Sequence, residues 1–442
     1  ISTMSKKSKN KDYPLATYFG YYNQFLDTKI GKALNLRKIS ERFVYEGIKN
    51  GVKVASNTTR VFKNLTGGNA ERLTPKTATD LFDLNYTDEQ QIVQESVQQF
   101  AVKMRAAAEK ADDTASIPDE LWQEFNDLQL AYMQVPENLG GMMTQKSTVT
   151  QMIIAENLAH GDFGQALAFY TKHSVLNAII QWGTASQQAA LVPAFLGDNP
   201  ETATIAINEA RPLFSPFDLK TKAKKEDKQY CINGRKNMVP LAESAGYILV
   251  AADTEQQGIR LFIVDSNAEG VTITADRSMG LNVAALCAIE FDDVMVDESA
   301  ILGDSDFNYV EFIAYSKLGW CAMAVGCCQA ILDYVIPYAN DRHAFGEPIS
   351  HRQAVAFMIA DIKIELDGMR MLTQRATALA EQGVAFEREA YLAHVFCSDK
   401  AMQIASNGVQ LLGGHGFIRD FPVERWYRDI RAVAIGINGI HL

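Results

Sequence analysis

Cysteine is scarce and shows no paired spacing: six residues, at 231, 287, 321, 327, 328 and 397, stand in apolar stretches without a Cys-x-x-Cys pattern. They read as small reduced core residues, which argues against a disulfide framework and a zinc site and for a cytoplasmic protein. The seven histidines, at 160, 173, 343, 351, 394, 415 and 441, form no ligand-like pair, so no metal is expected. No apolar run reaches about 18 residues, so a membrane-spanning helix is not expected. No apolar stretch follows the lysine-rich start, so neither is a secretory leader. A basic balance is also lacking: 42 Lys and Arg against 53 Asp and Glu give −11. With no reading module in evidence, nucleic acid is not an expected partner.

The total conceals a split. Residues 1–65 hold thirteen Lys or Arg against four Asp or Glu, a local charge near +9 that leaves the remainder near −20. Within this arm Tyr18, Phe19, Tyr21, Tyr22, Phe25, Leu26 and Ile30 keep a helix-compatible apolar spacing, and Ile39, Phe43, Val44 and Ile48 continue it. A basic amphipathic helix can lie on an anionic lipid surface as a peripheral membrane contact. It can equally pack on its own acidic body or on a second subunit.

At 442 residues the chain should divide into two to four domains. Thr66 to Thr79 is rich in Gly, Thr and Asn and reads as a linker. Asp88-Glu89-Gln90-Gln91 then opens a helix whose Ile92, Val93, Val97, Phe100 and Val102 recur at helical spacing. Further helices follow to about residue 200, interrupted at Val135-Pro136-Glu137-Asn138-Leu139-Gly140-Gly141, a turn on its own chemistry. Near residue 203 the texture becomes β-rich: Thr202–Ile207, Tyr230–Gly234, Tyr247–Ala252, Leu261–Val264, Val271–Ile273 and Ala288–Val294. From Phe307 helical periodicity returns. The expected class is therefore α+β with segregated layers, divided as 1–80 (basic extension and linker), 81–202 (helical), 203–304 (β) and 305–442 (helical).

Two blocks invite a chemical reading. In Gln410-Leu411-Leu412-Gly413-Gly414-His415-Gly416 the adjacent glycines let a backbone or a flat ligand approach closely, although a bare Gly-Gly is also an ordinary helix cap. In Asp341-Arg342-His343-Ala344-Phe345-Gly346-Glu347-Pro348-Ile349, with Gln353 following, an arginine can pair with a diphosphate while an aromatic packs on a flat cofactor. Together with Pro422-Val423-Glu424-Arg425-Trp426-Tyr427-Arg428-Asp429, Met279-Gly280 and Phe291-Asp292-Asp293-Val294, these blocks resemble the acyl-CoA dehydrogenase family from about Tyr86 to Leu442. The basic arm lies outside the resemblance.

The resemblance implies a helical N-terminal domain, a small β-barrel and a C-terminal four-helix bundle. It implies an FAD-dependent oxidoreductase of the bacterial cytoplasm, α,β-dehydrogenating an acyl-CoA thioester and passing electrons to an electron-transfer flavoprotein. It further implies that Arg342, Phe345 and Gln353 contact the FAD of one subunit while Gln410, Gly413 and Gly414 reach that of the neighbour, hence a homodimer or a dimer of dimers. The sequence departs from the family where chemistry is done. The usual catalytic glutamate aligns with Ile437, and the alternative base position aligns with Ser316. Glu311, five residues before it, is a weak candidate base. In the flavin-facing β-segment Asn208 can hydrogen-bond the ring edge, Met238 replaces an aromatic, and Pro240 replaces a hydroxyl donor. These losses leave open a catalytically silent homologue that binds a ligand or partner, or a flavoprotein with a non-CoA substrate. Family members usually continue for another helix past the position of Leu442.

Overall fold

The computed structural model describes residues 85–143, 146–197 and 200–442. The basic arm, its expected lipid or protein contact and the 66–79 linker lie outside the described residues.

The first helix, α1 (Asp88–Thr114), begins where the sequence places it. Thr87 and Gln90 exchange side chain-to-backbone bonds of 3.2 and 3.0 Å, and Asp88 and Glu89 sit at the positive end of the helix dipole. Its buried face is Val93, Val97, Phe100, Met104 and Ala108, whereas Ile92 and Val102 point to solvent. Short α2 (Asp119–Asp127) and α3 (Leu130–Gln134) lead into the Val135–Gly141 turn. There Gly140 takes φ 89°, and a Cβ on Gly141 would meet the Val135 carbonyl at 1.9 Å. Both glycines are therefore required by geometry. After α4 (Thr148–Gly161), α5 (Phe163–Trp182) is buried on every side, which is why its sequence has no amphipathic stripe. Then comes α6 (Ala185–Leu191).

The β segment comprises β1 (Ala203–Ala206), β2 (Lys222–Glu226), β3 (Gln229–Val239), β4 (Tyr247–Asp253), β5 (Ile259–Asp265), β6 (Val271–Ala275) and β7 (Cys287–Asp297). One row runs β2-β3-β7-β6, all antiparallel; in the other β4 pairs parallel with β1 and antiparallel with β5. The rows join at the single pair Lys222/Asp253. All seven strands send side chains, among them Ala223, Ile232, Val250, Phe262, Ile273 and Phe291, into one core, which makes the domain barrel-like. Strand β2, Lys-Ala-Lys-Lys-Glu, escapes sequence reading because only Ala223 is buried in it.

The C-terminal part is built on α7 (Tyr309–Asp341), α8 (Gln353–Glu381) and α9 (Glu387–Leu412), with the short α10 (Val423–Ile430). Among the described residues α7 alone is long and apolar enough to cross a bilayer, yet most of it is buried in protein, as a core helix would be. Gly326 on α7 permits contact with α4 at backbone distance: a Cβ there would lie 1.9 Å from the Glu156 carbonyl oxygen. All six cysteines are buried and free.

Candidate functional site

Helix α7 packs along α9, and at their ends the Tyr338 hydroxyl lies 3.3 Å from the Leu412 carbonyl, to which it donates, and 2.8 Å from His415 Nδ1. Between them opens a hollow of about 470 Å³ lined by Tyr338, Arg342, Gln410, Gly413, Gly414 and His415. Gly413 takes φ 59°, and no atom lies within 4 Å of where a Cβ would stand on it or on Gly414. Any side chain there would project into the space. A guanidinium, a carboxamide and two unobstructed glycine backbones suit a diphosphate. One chain thus brings Arg342 together with Gln410, Gly413 and Gly414, from the two blocks that the resemblance assigned to the FAD of different subunits. Phe345 and Gln353 stay apart from the hollow. Phe345, with φ 57°, is 99% exposed at the tip of a two-residue turn between β8 (His343–Ala344) and β9 (Glu347–Pro348), and Gln353 is an exposed first residue of α8.

The ring end of the expected cofactor site is different. Asn208 is buried, and both ends of its carboxamide are engaged: Nδ2 donates to the Ile435 carbonyl at 2.7 Å, and Oδ1 accepts from Ile437 N–H at 3.0 Å. Asn438 Oδ1 accepts from the N–H groups of Ile207 and Asn208 at 2.6 and 2.8 Å, while its Nδ2 donates to the carbonyls of Asn237 and Met238 at 2.7 and 3.0 Å. Met238, at φ 55°, gives its N–H to Asp276. Pro240 packs against Gly439, leaving 2.6 Å to where a Cβ would be. The Asn208 carboxamide, the N–H groups of Ile207 and Asn208 and the carbonyls of Asn237 and Met238 are thus bonded to the chain's own 435–438 segment, while the Asn237 side chain and the Met238 N–H are taken by Ala210 and Asp276. The residues present fit a diphosphate in the hollow but not an isoalloxazine ring at Asn208.

The two ends are also far apart. Gly319 of α7 abuts Ile440, and Arg342 ends the same helix. At 1.5 Å per residue along α7 they stand roughly 35 Å apart.

Neither base position has gained a carboxylate. Ile437 is buried in an apolar cluster, and Ser316, fully buried, donates its hydroxyl to the Phe312 carbonyl at 3.3 Å. Glu311 sits in the first turn of α7, capped by Asn308. Burial, then the nearby Glu387, raise its pKa, while Lys146 opposes them. Lys146 is itself pushed down to about 8 by burial, against the pull of Glu311 and Glu381.

The Pro422–Asp429 block is structural. Arg425 pairs with Asp162, the α5 cap, at 3.0 Å with both side chains buried, and Arg428 reaches Asp112 at the end of α1 at 2.7 Å. Asp429 accepts the Leu281 N–H at 2.6 Å. A Cβ on Gly280 would come within 2.6 Å of the Arg428 backbone, which gives Met279-Gly280 its steric reason. Burial raises the Asp429 carboxyl to about 7, with Asp162 adding to it. Sequence reading missed Tyr338, because an aromatic in an apolar helix carries no sign of its partner. It also passed over Asn438, although an asparagine between Ile437 and Gly439 in an apolar stretch was a visible signal.

Three family models match in chain order: acyl-CoA dehydrogenase, N-terminal domain (residues 87–198), middle domain (205–294) and C-terminal domain (309–439). The probable acyl-CoA dehydrogenase YngJ of Bacillus subtilis is 30% identical over 362 residues, 79% of this chain and 94% of that protein. The 3-(aryl)acrylate reductase of Clostridium sporogenes is 28% identical over 361 residues, 79% of this chain and 95% of its own. The solved butyryl-CoA dehydrogenase of Megasphaera elsdenii superposes with a TM-score of 0.73 at 26% identity, covering 80% of this chain and 96% of that one.

Proposed function

This chain belongs to the acyl-CoA dehydrogenase family, whose members are FAD-dependent flavoprotein oxidoreductases, and from that premise we propose that it is a nucleotide-binding member that does not carry out α,β-dehydrogenation. The observation that carries this reading is the absence of a proton acceptor at both base positions. Removal of an α-proton needs a group within hydrogen-bond reach whose pKa suits the task. Ile437 has no such group, and the Ser316 hydroxyl, spent on the Phe312 carbonyl, has no activating base. Glu311 faces Lys146 and Glu387 at a helix start, an environment that explains its raised pKa without a substrate.

On this reading Arg342 supplies charge to a diphosphate, Gln410 a carboxamide, and Gly413 and Gly414 the clearance for phosphate oxygens to approach the backbone. FAD, bound through its nucleotide half, would supply redox chemistry only where its ring also found a seat. Two copies of the chain fit the exposed apolar residues Phe357, Ile364 and Met371, one every seven residues along α8, with Tyr391, Leu392 and Val395 on α9. The test is an anaerobic panel of short to long acyl-CoAs added to FAD-supplemented protein. No bleaching of flavin absorbance is expected, and bleaching by any member overturns the reading.

A second reading keeps the family's reaction: α,β-dehydrogenation of an acyl-CoA, with electrons passed to an electron-transfer flavoprotein. The retained hollow at Arg342 and the glycine pair favours it. A purified protein that is yellow and is bleached by one acyl-CoA would decide for it.

A further inference from the structure

The segment Ile435–Asn438 is bonded, with matched chemistry, to Ile207, Asn208, Asn237 and Met238, the stretch that the family resemblance turns toward a flavin ring. Asn438 presents a flat amide edge, one C=O accepting from two backbone N–H groups and one NH₂ donating to two backbone carbonyls. The pyrimidine edge of an isoalloxazine likewise alternates carbonyl oxygens with an imide N–H. Asn208, the side chain expected to hydrogen-bond the ring edge, is turned to the backbone of Ile435 and Ile437.

The rest of the chain to Leu442 is held as firmly. Gly439 adopts φ 74° against Pro240 and Thr171. A methyl group of Ile440 stands 1.9 Å from the position of an added Cβ on Gly319. His441 stacks on Phe312, with centroids 4.4 Å apart and planes 16° from parallel, and its carbonyl accepts from Asn177 Nδ2 at 3.1 Å. Ile440, His441 and Leu442 are fully buried. A ring could enter only by displacing the whole segment from between the β domain, α5 and α7.

We infer that Asn438 stands in for the edge of a flavin ring, so that this chain accepts a nucleoside diphosphate in the Arg342 hollow and excludes the isoalloxazine half of FAD. The inference rests on the nucleotide-binding reading above and narrows it to a ligand class. It makes ADP and FAD equivalent ligands, because only the half they share finds a site.

The experiment titrates the full chain with ADP and with FAD by calorimetry and follows the flavin band by visible circular dichroism. In the native protein the two dissociation constants should agree within about threefold, a gap of well under 1.4 kcal/mol, and bound FAD should show no induced flavin signal. Asn438→Ala should tighten FAD relative to ADP by about tenfold or more and induce that signal, with ADP binding unchanged. Gly319→Ala, which pushes on Ile440 from the other side, should act in the same direction. Should either variant fail to fold, the native comparison decides alone. FAD binding tenfold tighter than ADP in the native protein, with an induced flavin signal, overturns the inference even when acyl-CoA causes no bleaching and the functional reading stands. Should native protein bind neither nucleotide, the reading of the hollow falls. The role of Asn438 then rests on the variants: FAD uptake with an induced signal supports it, and failure to take up FAD overturns it.

Discussion

Lys236→Met puts the β-segment that carries Asn208 and Asn237 under direct test. Lys236 is fully buried, with Nζ 3.1 Å from Glu209 Oε1 and 3.1 Å from the Ile207 carbonyl. Glu209 also accepts from the N–H groups of Lys220 and Thr221 and from the Thr221 hydroxyl, at 2.8 to 2.9 Å, and has Arg211 Nε at 3.5 Å. Removing one partner of a buried pair costs about 3–5 kcal/mol because the other charge stays behind. The bonds that Glu209 keeps place the expected loss near the lower end, about 3 kcal/mol. Urea unfolding at neutral pH measures it, and a cycle with Glu209→Gln should return a coupling of about 1–3 kcal/mol. The pH dependence supplies an independent check. Burial pushes Lys236 from 10.5 down to about 8, with Glu209 opposing that shift. Between those values the unfolded chain binds the proton that the folded chain has released, so this group makes stability rise with pH across that window. At about 1.4 kcal/mol per pH unit the rise totals about 3 kcal/mol. The methionine variant should lack this rise. An unfolding midpoint unchanged by the substitution, or the same slope with pH in both proteins, would refute the reasoning.

Other consequences are open to direct measurement. Arg342→Ala should weaken ADP binding by tenfold or more while leaving thermal stability unchanged; Gly413→Val should weaken it as much and also lower thermal stability, because its branched side chain enters the hollow from a positive-φ backbone position. Arg425→Met leaves Asp162 buried without its cation and should cost about 3–5 kcal/mol in urea unfolding; a loss under about 1 kcal/mol would contradict the buried-pair account. Glu311→Gln should leave any measured turnover unaltered. Because the folded pKa of Glu311 is raised, its contribution to stability is lost as pH climbs from the ordinary carboxylate value through the raised one, and the glutamine variant should lack that decline. Ile364→Glu should shift the protein to a smaller species in light scattering if the α8 face joins two copies.

The sequence carried the order of layers well, since local rules set it. The start of α1 follows from Thr87 and Gln90, and the buried runs of β1, β4 and β5 read as strands because apolar β-rich segments between turns have few alternatives. Strand β2 did not, because its four charged or polar-facing positions resemble a loop until β3 is beside it. The candidate site was legible as residue types and not as an arrangement. Arg342 and Gly413 stand some seventy positions apart in the chain, and the packing of α7 on α9, with the Tyr338 contacts at their ends, makes them neighbours. The missing carboxylates at Ile437 and Ser316 were plain in the sequence. That Asn438 would satisfy the vacated backbone groups was not, since a single asparagine's partners are set by tertiary approach.

The glycine at 326 separates what this architecture needs to stand from what it needs to react. Where two helices touch main chain to main chain, a single added carbon wedges them apart, so drift at that crossing is all but closed. No comparable veto guards Ile437 or Ser316, where a carboxylate can be lost and the scaffold keeps its shape. A protein built this way can shed a reaction and retain its silhouette, and its outline alone is then a poor guide to its chemistry.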